Sequence, residues 1–288
     1  MIPGAFDYHR PNSVANAVAL LAKLGEEARP LAGGQSLIAL MKTRLAAPEH
    51  LIDLSAIADL RGAREHGLDI VIGAMTTQHE LIASPLLAKF LPIIAETALV
   101  IADPQIRYKG TLGGNVANGD PGNDMPALMQ CLGASYHLTG PQGERQVAAR
   151  TFYLSAYETA MLPGEILTAI RIPKPAPGHG YGYEKLKRKI GDYATAAAAV
   201  MITMAGGTCT SASIGLTNVA STPLWAEAAG QALVGTRLDA AAVAKAVAAA
   251  EAITSPASDM RGPAEYRTKM AGIMLRRALE RAKSRATG

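Results

Sequence analysis

Two double-glycine turns constrain this chain more than any other feature. The first lies in RPLAGGQSLIALMKTRL, from Arg29 to Leu45, and the second in YKGTLGGNVANGDPGND, from Tyr108 to Asp124. A glycine pair between a strand and a helix admits backbone angles closed to other residues, and it lets another group approach the main chain with no Cβ in the way. Free N–H groups at the head of the following helix, together with its dipole, then favour a phosphate, and Ser36 offers a hydroxyl donor. Neither spacing is G-x-G-x-x-G or G-x-x-x-x-G-K-S/T, and the first turn taken alone also reads as a tight turn with no ligand. The second is denser: Gly110, Thr111, Gly113, Gly114, Gly119 and Gly122 crowd together with Asn115, Asn118, Asn123 and Asp124. It runs straight into the apolar helix residues Met125, Ala127, Leu128 and Leu132. That suits a loop laid against an extended ligand better than a free surface loop.

The segments around the turns read as an α+β chain. Asn12 and Ser13 precede a helix whose apolar face is Val14, Val18, Leu21 and Leu24, with Gly25 as its stop. A strand over Arg29–Ala32, the glycine turn, a helix from about Ser36 to Leu45 and a strand around Leu51–Leu54 predict a βαβ unit. Asp69–Ala74 follows as a strand, and Ser84-Pro85 caps one long helix through LLAKFLPIIAETALVIA. A helix from Asn123 to about Leu132 leads into a hairpin with Gly140, Pro141 and Gly143 in its turn, and together these segments suggest a mixed sheet with helices on it. The proline- and glycine-rich Ile172–Gly182 reads as a linker. Beyond it, YGYEKLKR, AAAAVMITMA and CTSASIGLTNVA predict a three-stranded sheet covered by three helices, the last from about Pro263 to Ala286.

Much chemistry is excluded. With 288 residues, 49% of them hydrophobic and 18% charged, the chain can bury the cores of two domains without staples. Cys131 and Cys209 stand far apart, and none of the six histidines pairs at metal-ligand spacing, so neither a disulfide framework nor a metal site is expected. There is no G-x-S-x-G elbow, and no side chain is expected to act as acid, base or nucleophile. The net charge of +4 is spread among acidic residues and aromatics make up only 5%, which argues against nucleic acid. MIPGAFDYHRP does not read as a secretory signal and Ala194–Gly207 is too short to span a bilayer. A cytoplasmic setting is expected, with any membrane contact peripheral, at the inner face and through a partner. KLKRK (Lys185–Lys189) reads as a solvated basic strand face or a site, and Arg276, Arg277, Arg281 and Arg285 as a solvated helical stripe or a docking surface. Tyr193 is placed to stack on a planar ligand or to sit at a core boundary.

Taken together, AGGQS (Ala32–Ser36) and TLGGN (Thr111–Asn115) resemble the paired FAD pyrophosphate motifs in the flavoprotein subunits of the molybdenum hydroxylases. IPGAFDYHRP, ADPQIRYKGTLGGNVANGDPGNDMPALMQCLGA and YEKLKRKIGDYATAAAAV extend the resemblance over essentially the whole chain, in particular to the carbon monoxide dehydrogenase branch of that family. It implies a two-subdomain FAD-binding fold of the vanillyl-alcohol-oxidase (PCMH) type over residues 1–176, divided at about 55/56, and a carbon monoxide dehydrogenase flavoprotein-type domain over residues 177–288. By position, it implies that Ala32, Gly33, Gly34, Gln35 and Ser36, flanked by Arg29 and Leu37, and Gly110, Thr111, Leu112, Gly113, Gly114 and Asn115 line the diphosphate. Ile101 and Ala102 match residues near the ring, Asp124 an acidic cofactor contact, and Ile166, Leu167 and Lys185 further flavin-side contacts. Tyr193 is expected against one face of the isoalloxazine, where relatives such as xanthine dehydrogenase carry an aliphatic residue.

The resemblance also implies partners: a small subunit with 2Fe-2S clusters and a large subunit with molybdopterin cytosine dinucleotide, molybdenum and copper, assembled as a dimer of heterotrimers. In such a complex electrons from carbon monoxide oxidised at molybdenum pass through the iron–sulfur clusters and FAD to a quinone or similar acceptor. The flavin subunit of a purine, aldehyde or N-heterocycle hydroxylase shares the fold, and a non-redox nucleotide-binding module is the alternative of another class. The glycine argument predicts that Gly114→Val strongly weakens or abolishes FAD retention without unfolding the C-terminal domain. Flavin absorbance of the purified protein checks this, and full occupancy would contradict it.

Overall fold

The computed structural model describes residues 2–287. Strands β1 (Asp7–His9), β2 (Ala28–Leu31) and β3 (His50–Asp53) form a parallel sheet with β3 in the middle. Helix α1 (Val14–Leu24) connects the first two strands and α2 (Leu37–Lys42) the second and third. Ser13 caps α1 by accepting from the Asn16 N–H, and Gly25 ends it at φ +63°. Ala17, Val18 and Leu21 share a core with Ile52, Leu54 and Ile57. The βαβ unit is as the sequence predicts; β1 is an addition, too short to show an alternating pattern.

The second unit begins with β4 (Ala63–His66) and β5 (Asp69–Gly73) and then passes through six short helices. These are α3 (Gln78–Ala83), α4 (Pro85–Phe90), α5 (Pro92–Leu99), α6 (Pro104–Arg107), α7 (Leu112–Ala117) and α8 (Asp124–Cys131). It returns through β6 (Ser135–Gly140), β7 (Gly143–Ala148), a small hairpin of β8 (Tyr153–Ser155) and β9 (Glu158–Thr159), and β10 (Ile166–Pro173). Apart from that hairpin, the five strands make an antiparallel sheet of order β4-β5-β10-β6-β7. The expected mixed sheet is therefore two sheets, one parallel and one antiparallel, because β5 pairs with β4 and β10 and not with β3.

Two further expectations change here. Ser84 does cap α4, accepting from the Leu87 N–H, but the long helix is broken. Pro92 has no N–H for the α4 ladder, so Leu91 leaves helical angles (φ −139°, ψ 54°) and α5 restarts with the proline in its first turn. The linker also shortens to residues 174–179, because β10 continues through Ile172 to Pro173. Pro173 stands at the strand end opposite Asp69, where a missing donor is tolerated.

The last unit is an antiparallel sheet of β11 (Gly180–Leu186), β12 (Ala196–Ala205), β13 (Thr208–Thr217) and β14 (Leu224–Trp225), followed by α9 (Glu227–Gln231), α10 (Ala240–Ala252) and α11 (Ala264–Arg285). It has four strands where three were expected, β14 being too short to carry a pattern. On β12, Ala196, Ala198 and Val200 face the core of this unit, whereas Ala197 and Ala199 join the core that contains Leu128 and Cys131 of α8. Gly215 of β13 also meets α8, so closely that an added Cβ would stand 2.9 Å from the Ala127 carbonyl carbon and 3.3 Å from the Cys131 Cβ.

Charged groups cross the same seam. The Arg150 guanidinium lies 3.6 Å from the centroid of the Trp225 ring. Arg285 and Arg281 reach Glu96 of α5 at 2.7 and 3.8 Å, and within the last unit Arg281 also holds Glu184 of β11 at 2.6 Å, so half of the basic stripe on α11 is a clamp rather than a solvated face. Among the described residues, no helix is long and apolar enough to cross a membrane. Gly215→Ala is expected to lower stability by about 1–3 kcal/mol through overpacking between β13 and α8. The midpoint of urea unfolding measures it, and an unchanged midpoint would mean that the seam gives way freely.

Candidate functional site

The turn between β2 and α2 meets the loop that opens α7, and the two touch at their glycines. Gly33 lies so near the Lys109–Gly110 peptide that a Cβ would collide with the Lys109 carbonyl oxygen and stand 2.7 Å from the Gly110 Cα. A Cβ on Gly114 would be 3.3 Å from that of Ala32, and one on Gly110 would be 3.7 Å from the Gln35 Cγ. Gly34 holds φ +73°, which L side chains rarely adopt. Among the described residues no backbone acceptor meets the N–H groups of Gly34, Gln35 and Ser36; the next one, from Leu37, opens α2, and the Ile38 N–H donates to the Gly34 carbonyl at 3.1 Å. The Ser36 hydroxyl does not cap its own helix. A side-chain-free cradle with a row of unused main-chain donors fits a diphosphate.

The second turn is anchored from behind. Thr111 accepts from the Gly114 N–H at 3.0 Å. The Leu112 and Gly113 N–H groups donate to the Thr76 and Ala74 carbonyls at 2.9 and 2.8 Å. A Cβ on Gly113 would stand 2.6 Å from the Ala74 oxygen. Gly113 therefore serves the packing of α7 onto the chain leaving β5, and Gly33 the packing of one turn on the other. The effect expected of Gly114→Val comes from separating the turns at Ala32 as much as from blocking a ligand.

A buried ion pair lies at the head of α8. Lys185 Nζ is 2.7 Å from Asp124 Oδ2, with the two side chains only 2% and 5% exposed. The Tyr183 hydroxyl donates to Asp124 Oδ1 at 2.6 Å. Burial, and then the Asp124 charge, push the Tyr183 hydroxyl pKa up, so it remains a donor. Asp124 also sits in the first turn of α8, where the dipole favours an anion. Asn115 ties this pair to the cradle: its Oδ1 accepts from the Met125 N–H at 3.3 Å and its carbonyl from the Asn123 amide at 2.8 Å.

Cations gather where α5 ends. Lys187 Nζ is 3.2 Å from the Val100 carbonyl, Lys185 Nζ reaches the same oxygen at a longer 3.4 Å, and Arg107 donates to the Ile101 carbonyl at 2.9 Å. They complement the negative end of the helix. Ala102 follows at φ +44°, a left-handed conformation that costs a non-glycine residue about 1–2 kcal/mol.

The remaining expected residues divide. The Tyr193 ring lies against Gly122, whose Cβ would be 2.7 Å from Cδ1, and 41% of the residue is exposed. Ile101, Leu112 and Leu167 share the main core and Ile166 the core of the first unit, with a β-bulge between Leu167 and Ala169. Arg29 does not join them, since its guanidinium turns back onto the Glu26 and Ala28 carbonyls at 2.7 and 2.9 Å. Tyr183, Lys187 and Arg107 were not expected. The first two stand at two-residue intervals with Lys185 in the expected strand YGYEKLKR, so its alternation already places all three on one face, while Arg107 carries no such signal. The reading of KLKRK as solvated holds for Arg188 and Lys189 and fails for Lys185 and Lys187, which point inward.

Other concave or polar features lie apart. Concavities of about 380 and about 500 Å³, between α10 and α11 and around His137 and Arg171, contain no residue of either glycine turn. Glu27, Glu49 and His50 bring potential metal ligands within 4.8 Å of one another, with both carboxylates exposed. That group shares no residue with the cradle.

The family described as the FAD binding domain in molybdopterin dehydrogenase matches residues 4–175, and the CO dehydrogenase flavoprotein C-terminal domain matches residues 181–282. The chain is 76% identical over 286 residues to the carbon monoxide dehydrogenase medium chain of Afipia carboxidovorans, covering 99% of each. It is 50% identical to the corresponding chain of Hydrogenophaga pseudoflava, again over 99% of each. Its structure superposes on a chain of the cyanide-inactivated Cu,Mo-CO dehydrogenase with a TM-score of 0.98 at 76% identity, covering 99% of this chain and 100% of that one. Lys185→Met should strand the Asp124 carboxylate and destabilise the protein by about 3–5 kcal/mol, part of which Lys185→Met/Asp124→Leu restores. Urea unfolding of both variants decides it; equal stability of the two would mean that the pair is not coupled.

Proposed function

Since the chain belongs to the FAD-binding family of the molybdopterin dehydrogenases and carries the carbon monoxide dehydrogenase flavoprotein type of C-terminal domain, we propose that it is the FAD-carrying medium subunit of a carbon monoxide dehydrogenase. The observation that carries this is the 76% identity over 99% of both chains, which includes the C-terminal domain as well as the glycine turns. Its partners are then a small iron–sulfur subunit and a large molybdenum- and copper-containing subunit, in a cytoplasmic dimer of heterotrimers. That complex oxidises carbon monoxide with water to carbon dioxide and delivers the electrons to a quinone or similar acceptor. FAD, when bound, supplies the redox chemistry of this chain; the chain's own residues bind and orient it.

The binding assignment follows the cradle. Ala32–Ser36 and Thr111–Asn115, with Gly110 and Leu37 beside them, receive the diphosphate, and Arg29, turned back onto the Glu26 and Ala28 carbonyls, takes no part. Ile101, Ala102, Ile166 and Leu167 border the ring, Tyr193 covers one face, and Asp124 with Lys185 form the polar wall. The domains divide at residues 176/177, and the first at about 55/56. Supporting this division, each unit has its own sheet, and the third closes over α8 with a core of its own.

Visible spectroscopy of the purified complex tests the proposal. Flavin bands should be present and bleach on addition of carbon monoxide. Bleaching by xanthine or an aldehyde, with no response to carbon monoxide, would reassign the substrate, and the absence of flavin bands would overturn the redox reading itself.

A further inference from the structure

We propose that Lys187 is a positioning residue for the flavin ring: through the Val100 carbonyl it holds the Ile101–Ala102 turn in shape and adds positive charge there. This rests on the FAD assignment and extends it to a residue outside the motifs and contacts assigned above. The geometry is a cation-capped helix end. Helix α5 stops at Leu99 and leaves carbonyls without partners in the helix at its negative pole. Lys185 and Lys187 come from the C-terminal domain, Arg107 from α6, and all three converge on the carbonyls of Leu99, Val100 and Ile101. Immediately beyond them Ala102 holds φ +44°, a conformation that persists only when its surroundings enforce it.

The three cations are not equivalent. Lys185 is neutralised by Asp124 at 2.7 Å. Neither Lys187 nor Arg107 has a carboxylate within ion-pair distance among the described residues, and around the turn the three cations face two carboxylates, Asp124 and Asp103, the N-cap of α6. Burial, and then the proximity of Lys185, draw the Lys187 pKa down against the opposing pull of Asp124, and the Val100 carbonyl is its one hydrogen-bond partner among the described residues. A lysine of this kind is poorly explained by solubility. Beside the ring it would favour the cofactor state that carries the additional negative charge.

The test uses the assembled complex with Lys187→Met and Lys187→Arg. Retained FAD per protein is measured by visible absorption after dialysis, and the flavin midpoint potential by redox titration. Lys187→Met should weaken FAD retention by about tenfold. It should also lower the potential by about 30 mV, the equivalent of a tenfold loss for a two-electron couple. Lys187→Arg should restore both. If Lys187→Met fails to assemble, Lys187→Gln, which keeps a hydrogen-bonding group without the charge, carries the same expectations. Unchanged retention and potential in the neutral variant, or an arginine variant as impaired as the methionine one, would overturn the proposal while leaving the FAD assignment intact. A wild-type complex without flavin bands would overturn both.

Discussion

The approach of two backbones at Gly33 and Gly110 is the constraint on which the binding region depends. Each turn is set by its own unit, the first by the parallel pairing of β2 with β3 and the second by the Thr76 and Ala74 carbonyls that receive the start of α7. Neither unit alone makes a cradle. They make one because Gly33 has no side chain to hold Lys109 away, and because Gly34 can turn the chain into α2 at φ +73°. The glycines thus divide the labour. Gly33 and Gly113 allow chain to lie on chain, Gly34 supplies a conformation, and Gly114 keeps the space beside Ala32 open.

A second constraint is electrostatic, and it joins the units. Asp124 answers the positive end of α8 and is held there by Tyr183 and Lys185 of β11, while Lys185 and Lys187, one residue beyond that strand, answer the negative end of α5. Lys185 serves both poles, holding Asp124 and reaching Val100. The C-terminal domain is consequently part of the site's wall. Its strand completes helix ends that the FAD-binding domain leaves open, which gives a physical reason for the two family domains to occur in one chain.

Much of this was legible in the sequence. The capped helix α1, the βαβ unit, the hairpin of β6 and β7 and the long strands of the last unit all carry strong local patterns. The failures have identifiable causes. A proline in an apolar run was read through when it divides α4 from α5, and Pro173 was read as linker when it ends a strand. Strands β1, β4 and β14 are short enough that only pairing defines them. In the site, the glycine pairs pointed to the cradle, but their individual tasks depend on which chain lies opposite, which no local pattern records. Lys187 looked like a surface charge because the carbonyl it caps is contributed by a helix far away in sequence.

The alanine run of β12 has a consequence of another kind. Ala196 and Ala198 belong to one core and Ala197 and Ala199 to another, so the strand is a wall shared by two rooms. A larger residue at any of these positions must be accommodated by whichever core it enters, and a change of register would exchange the two sets of methyl groups.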